Sequence, residues 1–221
     1  RYSNLDGNWS NTRRYFIEED FSFGKIESTV VEEMDEVNTG DPDTLVDFAT
    51  WAMETYPSEN YALVIWNHGG SWYGAASDDS ADGDELTLPE IDQALAAITE
   101  QTGVDKLDLI GFDACLMGAL EVYQVLSPYA RYAIASAELV PGFGWNYIDM
   151  LYELIDNAAF DGRGFGQAIV ETYMEFYNRP EQNYDVFSMS VIDLQQVGGL
   201  NSALQSFYNF VEVDPERALD V

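Results

Sequence analysis

The chain has 221 residues, 47% of them apolar, and its 40 acidic residues against 9 basic ones give a formal net charge of −31 at pH 7. The apolar fraction is too high for a disordered acidic tail, and the lack of clustered Lys and Arg argues against nucleic acid or an anionic membrane as a partner. A single cysteine and a single histidine exclude an intrachain disulfide and a self-sufficient zinc site, and no apolar run approaches the 18 residues of a membrane span.

The first 60 residues predict an extended ribbon followed by a helix. Residues 1–34 are interpreted as the ribbon, with a candidate strand at residues 14–18. Asp41 followed by Pro42 is typical of a helix N-cap with proline in the first turn. Apolar positions continue to Ala52, and the helix is expected to end before Pro57.

From residue 60 onward, short apolar runs alternate with longer amphipathic ones, which is typical of βα units and a largely parallel sheet. The clearest strands are residues 61–66 (YALVIW) and 107–112 (LDLIGF), and weaker candidates are residues 131–137 and 184–191. Because nearly continuous apolar strands are buried on both sides, helices are predicted on both faces of the sheet. The fold class is therefore α/β, and residues 1–221 are expected to form a single domain because no repeat or linker divides them.

Five further helices are predicted along this part of the chain. Thr87 and Glu90 have the spacing of a capping box, which opens a helix that ends near Gly103. Residues 117–126 are predicted to form a helix that ends before Pro128. The other predicted helices are residues 146–157, 164–178 and 194–211.

The only histidine and the only cysteine each follow a predicted buried strand directly. His68 comes after the strand at 61–66, and Cys115 comes after the strand at 107–112. Ligands of open α/β sheets bind outside the carboxyl ends of the strands, so neighbouring strands would bring both side chains to one crevice. Either residue alone is more often a packed or hydrogen-bonded residue without a catalytic role, but their joint placement indicates a Cys/His catalytic pair.

Acyl transfer by a thiol requires a thiolate, a base and hydrogen-bond donors for the developing oxyanion. A helix starting at residue 117 would set Cys115 at the positive end of the helix dipole, which favours the thiolate. His68 would accept and return the proton. The backbone N–H groups of Gly69 and Cys115 are the candidate oxyanion donors, because glycine has no side chain to block a substrate carbonyl.

The two segments in which a strand is followed by His68 or by Cys115 together resemble the caspase-like cysteine peptidases. In those proteins one apolar block ends in His-Gly and a later one ends in Ala-Cys. The caspase histidine lies about 50 residues before its cysteine, and here 47 positions separate His68 from Cys115. Within that group the chain is similar to the clostripain family over residues 12–210. The segments that carry this similarity are GDP at 40–42, NHGGSW at 67–72, DACLM at 113–117 and PGFGW at 141–145.

The resemblance implies a caspase-like sandwich and an extracellular or cell-surface cysteine endopeptidase that cleaves peptides or proteins after Arg or Lys. It implies His68 as the base, Cys115 as the nucleophile and the amides of Gly69 and Cys115 as the oxyanion hole. No cofactor is implied for the chemistry. The family begins with another strand and helix that have no counterpart here, so we expect the sheet to lack them.

Two acidic residues are implied as contacts for the basic substrate side chain. The family has an acidic residue two positions before its cysteine, here Asp113, and the loop after the next strand makes Glu138 a second candidate. A buried guanidinium requires a paired carboxylate. Two interpretations of Asp113 stay open, a substrate-binding carboxylate and a loop-capping one, whereas for Glu138 an ordinary surface position is favoured.

The negative charge itself leaves calcium open as a ligand. Residues 78–85 (DDSADGDE) approximate the start of an EF-hand loop, but Pro89 stands at position twelve and no helix precedes the segment, so a solvated acidic loop is preferred and no metal site is predicted. The low lysine content also fits a repulsive surface in a salt-rich environment. Two alternatives to the peptidase remain: a catalytically inactive caspase-like binding module and an acidic calcium-dependent surface protein.

Overall fold

The computed structural model describes residues 9–19, 21, 25–182 and 184–213. In these residues the strands and α-helices follow in the order β1 (Thr12–Phe16), β2 (Thr29–Met34), α1 (Pro42–Thr55), β3 (Ala62–Trp66), β4 (Gly74–Asp78), β5 (Asp84–Thr87), α2 (Leu88–Thr102), β6 (Leu107–Asp113), α3 (Leu120–Leu126), β7 (Ala130–Ala135), α4 (Tyr147–Asp156), α5 (Gly162–Tyr177), β8 (Ser190–Asp193) and α6 (Val197–Val213).

The central sheet has four strands in the order β3-β6-β7-β8. Strands β3, β6 and β7 are parallel, and β8 pairs antiparallel with β7. The sheet is therefore mostly parallel, as predicted. Trp66 at the end of β3 lies opposite Asp113 at the end of β6, so these two strands end at the same level.

Helices pack on both faces of this sheet, which confirms the α/β prediction. One apolar cluster joins the buried faces of α1, α2 and α3 to the sheet through residues such as Leu95, Ile110 and Phe112. The second cluster joins α4 and α5 to the other face through Leu109, Ile134 and others. Ile110 and Leu109 are adjacent in sequence and lie in different clusters because successive strand residues point to opposite faces.

The N-terminal ribbon is present in the described residues as an antiparallel β1–β2 pair. Its first strand is Thr12–Phe16, two residues earlier than predicted, and residues 1–8 of the predicted ribbon lie outside the described residues. Arg14 attaches the ribbon to α1. Its guanidinium contacts the carboxylates of Glu32 and Asp47 and lies 4.5 Å from the ring centroid of Trp51.

The two predicted helix starts are confirmed in atomic detail. The carboxylate of Asp41 accepts a hydrogen bond from the Asp43 N–H at the start of α1. Thr87 and Glu90 form a reciprocal capping box at the start of α2, which ends at Gly103 with a left-handed φ of 71°. Both caps depend on residues within four positions of each other, so the sequence pattern is sufficient to predict them.

The acidic segment at 78–85 belongs to a hairpin that the sequence analysis did not predict. Strands β4 and β5 pair antiparallel, and the acidic residues form the turn between them. The Asp78 carboxylate accepts hydrogen bonds from the backbone and hydroxyl groups of Ser80 and Thr39, which lower the pKa of Asp78. Within the described residues, no group of three or more His, Cys, Asp or Glu side chains is arranged to hold a metal ion.

Helix α3 begins at Leu120, so the predicted start at residue 117 is wrong. The backbone of residues 116–118 bonds to the loop after β7 instead, with the Leu116 N–H donating to the Glu138 carbonyl and the Gly118 N–H to the Ser136 carbonyl. Leu116 has a left-handed φ of 62°, which no helix residue adopts. Cys115 is therefore separated from the helix by a turn and does not lie at the positive end of the helix dipole.

The predicted strand at residues 184–191 is also wrong over most of its length, because β8 is Ser190–Asp193. The rings of Tyr184 and Phe187 pack against Tyr177 of α5, at centroid distances of 5.4 and 5.7 Å. The two rings are thus part of an aromatic cluster beside α5. In the described part of the chain, no helix is long and apolar enough to cross a bilayer.

Candidate active site

The parallel pairing of β3 and β6 brings the only histidine and the only cysteine of the chain to the same edge of the sheet. His68 lies two residues after Trp66, and Cys115 lies two residues after Asp113, its partner in register. The loops also touch. A Cβ atom built on Gly69 would lie only 2.3 Å from the carbonyl oxygen of Cys115, so the absence of a side chain at residue 69 permits this close approach.

His68 and Cys115 line one open cleft of about 880 Å³. His68 is exposed and Cys115 is half-buried, so both can be reached from the cleft. Asp113 also contributes to the lining, as do the acidic residues Asp78 and Asp79. The predicted convergence of the thiol and the imidazole on a shared crevice thus matches the geometry.

The sulfur of Cys115 is held by the loop that follows β7. The Val140 N–H donates a hydrogen bond to Sγ at 3.3 Å, and the Val140 carbonyl lies 3.9 Å from the same sulfur. The structure therefore places the backbone of Val140 against the sulfur, where the sequence led us to expect the end of a helix.

The unpredicted hairpin holds the segment that carries His68. The His68 carbonyl accepts a hydrogen bond from the Ala76 N–H at 3.0 Å, and the Gly70 N–H donates to the Gly74 carbonyl at 2.8 Å. Ala76 and Ser71 have φ values of 62° and 60°, which are uncommon for residues with a side chain. The imidazole itself makes no hydrogen bond to any described residue, so it is free to act on a bound substrate.

Both candidate oxyanion donors are unoccupied by other parts of the described chain. Neither the Gly69 N–H nor the Cys115 N–H donates to an acceptor among the described residues. Gly69 pairs with Ala75 in an antiparallel bridge whose hydrogen bonds are made by the neighbouring residues, from the Ala76 N–H to the His68 carbonyl and from the Gly70 N–H to the Gly74 carbonyl. The amides of Gly69 and Cys115 thus keep the role of candidate donors that the sequence suggested.

Asp113 is a buried carboxylate with one satisfied and one unsatisfied oxygen. Its side chain is only 2% exposed. Oδ2 accepts hydrogen bonds from the Trp145 N–H and the Tyr147 hydroxyl, each at 3.0 Å, whereas Oδ1 is buried without a partner among the described residues. Burial raises the pKa of Asp113, and the two hydrogen bonds oppose this effect. Asp113 therefore caps the loop through Oδ2, whereas Oδ1 is buried without a partner among the described residues.

The two donors to Asp113 come from the segment around the PGFGW motif. Burial and the charge of Asp113 raise the pKa of Tyr147, so its hydroxyl stays protonated and acts as the donor. Gly144 has a left-handed φ of 67°, and a Cβ atom there would lie 2.5 Å from Asp113 Oδ2. No sequence pattern pointed to Val140, Trp145 or Tyr147, although the PGFGW motif at 141–145 contains Trp145 and lies within two residues of the other two.

Glu138 lies in the loop after β7 and is not among the residues that line the cleft. Its side chain is exposed and is not part of the cleft lining. Its carbonyl accepts hydrogen bonds from the Leu116 N–H and the Ser136 hydroxyl, and its N–H donates to the oxygen of the same hydroxyl. Glu138 thus supports the Cys115 loop through its backbone.

Comparison with known proteins agrees with this geometry. Residues 4–216 match the sequence model of the clostripain family of peptidases. The chain belongs to the clostripain family. It is 32% identical over 183 residues to clostripain from Hathewaya histolytica, an alignment that covers 70% of this chain and 34% of that protein. This clostripain-family chain thus spans about a third of the curated relative.

Solved structures confirm the caspase-like fold of this clostripain-family chain. A secreted C11 cysteine protease from Bacteroides thetaiotaomicron, bound to an irreversible peptide inhibitor, superposes with a TM-score of 0.70 at 25% identity and matches 90% of this chain and 57% of its own. An inactive zymogen C11 protease from Parabacteroides distasonis gives a TM-score of 0.67 at 21% identity, over 89% of this chain and 51% of its own.

Replacement of Gly69 by alanine is expected to reduce kcat/KM for peptide hydrolysis about 100-fold, because a misplacement of about 1 Å in an active site has an effect of this size. The added Cβ would collide with the Cys115 carbonyl and force the His68 loop away from the thiol. Gly142→Ala is the matched control, since residue 142 lines the same cleft and its Cβ would meet no atom within 4 Å. Equal activity of the two variants would contradict the close packing of the loops.

Proposed function

We propose that this protein is a cysteine endopeptidase that hydrolyses peptide bonds after Arg or Lys, with Cys115 as the nucleophile and His68 as the general base. The observation that carries the proposal is the shared cleft of the two side chains, whose loops are in direct backbone contact at Gly69. Membership of the clostripain family supports the same reaction class.

In the first half of the reaction, His68 accepts the thiol proton and the Cys115 sulfur attacks the scissile carbonyl carbon. The resulting oxyanion receives hydrogen bonds from the free N–H groups of Gly69 and Cys115. Collapse of this intermediate breaks the C–N bond, and the imidazolium of His68 returns its proton to the leaving amine. The product is a thioester between the substrate acyl group and Cys115.

In the second half, His68 removes a proton from a water molecule, and the resulting hydroxide attacks the thioester. The C–S bond breaks, the acid product leaves, and the thiolate of Cys115 regains its proton from His68. No cofactor takes part in either half. The Val140 N–H supports both halves, because it stabilises the sulfur whenever the sulfur is an anion.

Recognition of the basic side chain is assigned to Asp113. Its unpartnered Oδ1 belongs to a carboxylate that lines the cleft two residues before Cys115. A buried, unpaired charged oxygen is costly, and a cationic group from the substrate would supply the missing partner. The negative net charge of −31 would attract cationic peptides to the cleft.

The proposed setting is extracellular. A solved relative with 25% identity is a secreted protease. The proposed reaction does not need a metal ion. Calcium stays open as an additional ligand of the acidic surface. We propose peptides or proteins with exposed Arg or Lys as the substrates and no nucleic acid as a partner.

The test is a panel of fluorogenic peptides that differ only in the residue before the scissile bond. We expect hydrolysis after Arg and Lys to exceed hydrolysis after their neutral analogues citrulline and norleucine by at least about 100-fold, because the neutral analogues leave the buried carboxylate unpaired. Equal rates for charged and neutral peptides would refute the assigned specificity. No turnover of any peptide, together with no labelling of Cys115 by a Lys-chloromethylketone, would favour the inactive binding module.

A further inference from the structure

We propose that Tyr147 sets the relative preference for Lys and Arg by occupying an oxygen of Asp113 that an arginine side chain would otherwise use. The inference rests on the proposed function, in which Asp113 binds the basic side chain of the substrate. It assigns to Tyr147 a positioning role, because Tyr147 acts on the substrate only through Asp113.

The acceptor capacity of Asp113 is divided unequally. A carboxylate oxygen has about two lone-pair positions. Both positions of Oδ2 are used, one by the Trp145 N–H and one by the Tyr147 hydroxyl, each at 3.0 Å. Oδ1 has no partner among the described residues. Oδ1 is thus the one carboxylate oxygen with free acceptor positions, and because it is buried, a cation in the cleft reaches it only by displacing the atoms that cover it.

The two basic side chains differ in how they use such a site. A guanidinium is a planar fork whose strongest pairing with a carboxylate uses two parallel hydrogen bonds, one to each oxygen. An ammonium is a compact charge that needs only one carboxylate oxygen. Saturation of Oδ2 removes the second contact of arginine and leaves the contact of lysine unchanged, so Tyr147 lowers the advantage of Arg over Lys.

The packing around Asp113 keeps its carboxylate from rotating to offer both oxygens. Asp113 is 2% exposed, and the backbone at Gly144 approaches Oδ2 so closely that a Cβ atom would lie 2.5 Å from it. The Trp145 ring is anchored against β6, where a Cβ on Gly111 would lie 2.3 Å from the indole. Tyr147 as a residue is 37% exposed. Phenylalanine at this position keeps the ring and removes only the hydroxyl, so we expect this packing to stay intact.

Tyr147→Phe is expected to raise the ratio of kcat/KM for an Arg peptide to kcat/KM for the matched Lys peptide about fivefold, the effect of one additional hydrogen bond to a charged group. The matched control is Tyr152→Phe on the same helix, whose hydroxyl bonds to Glu19. The control should leave the ratio unchanged. A purely structural role of Tyr147 would lower both activities in parallel, and an unchanged ratio in Tyr147→Phe would overturn the inference.

A measurement on the unmodified protein gives a second test that does not depend on the folding of the variant. Butylguanidine and pentylamine are simple competitive inhibitors that present the two head groups on similar chains. We expect their inhibition constants to agree within about threefold, since each makes one main contact to Oδ1. Inhibition by the guanidine that is tighter by more than about tenfold would overturn the inference. Failure to hydrolyse Arg and Lys peptides at all would instead overturn the proposed function and, with it, this inference.

Discussion

Replacement of Cys115 by alanine is expected to lower kcat for Arg and Lys peptides by at least about 10⁴-fold, the size of effect measured when a catalytic nucleophile is removed. The change removes the sulfur that attacks the carbonyl, and no other cysteine in the chain can substitute for it. The thermal unfolding temperature should change little, because the Cys115 side chain is half-buried and its hydrogen bonds are limited to the backbone of Val140.

His68→Gln is the second variant to be measured, alongside Cys115→Ala. The loss of kcat should be similar, and the double variant should be no slower than either single variant, because the two groups act as one unit. Ser77→Ala is the matched control, since Ser77 lines the same cleft and has no role in the proposed chemistry. Turnover above about 1% in Cys115→Ala would exclude the mechanism, whereas a loss in Ser77→Ala would indicate that general disruption of the cleft explains the results.

Asp113→Asn is expected to reduce kcat/KM for Lys and Arg peptides by about 100-fold or more, since the buried amide cannot pair with the substrate cation. The rate of Cys115 alkylation by uncharged iodoacetamide should stay within about twofold, because the amide oxygen still accepts from Trp145 and Tyr147 and so preserves the loop. Asp79→Asn is the control, as Asp79 is an exposed carboxylate of the same cleft.

Asp113→Asn should be more stable than the wild type at pH 8, by about 1 kcal/mol in the free energy of unfolding. Burial raises the pKa of Asp113 above its unfolded value, so the protonated form favours the folded state. This stabilisation is complete at low pH and is lost as the pH rises through the raised pKa. The stability difference between Asp113→Asn and the wild type should therefore shrink as the pH falls below that pKa, as measured by urea unfolding at several pH values.

Hydrolysis of basic peptides should follow the same titration. Binding of the substrate cation requires the ionised carboxylate. As the pH is lowered, kcat/KM should therefore begin to fall at a higher pH than the ordinary pKa of a surface aspartate would predict. A parallel loss of alkylation, stability and hydrolysis in Asp113→Asn would show that the residue only supports the loop.

Local sequence patterns were reliable wherever the interacting groups are close in the chain. The helix caps at Asp41 and Thr87 involve residues two or three positions away, and both formed as predicted. The strands at 61–66 and 107–112 were recognisable because their continuous apolar character follows from burial on both faces.

The errors arose where distant hydrogen bonds overrode local preference. Residues 117–119 have a helical pattern, but their segment bonds to the loop after β7, some 20 residues later. The β4–β5 hairpin lies in a short, acidic, glycine-containing segment whose strands have little apolar pattern of their own. The loop after β7 supplies the partner in the first case, whereas β4 and β5 pair with each other in the second.

The α/β class, the family, and the placement of the single thiol and the single imidazole just beyond two buried strands follow from local patterns in the amino-acid sequence. The use of Asp113 depends on the folded molecule. Its donors come from Trp145 and Tyr147, 32 and 34 residues further along the chain. Such a contact has no sequence period, because it exists only after β6 and the start of α4 have packed together, so the division between the bound Oδ2 and the free Oδ1 is a property of the fold.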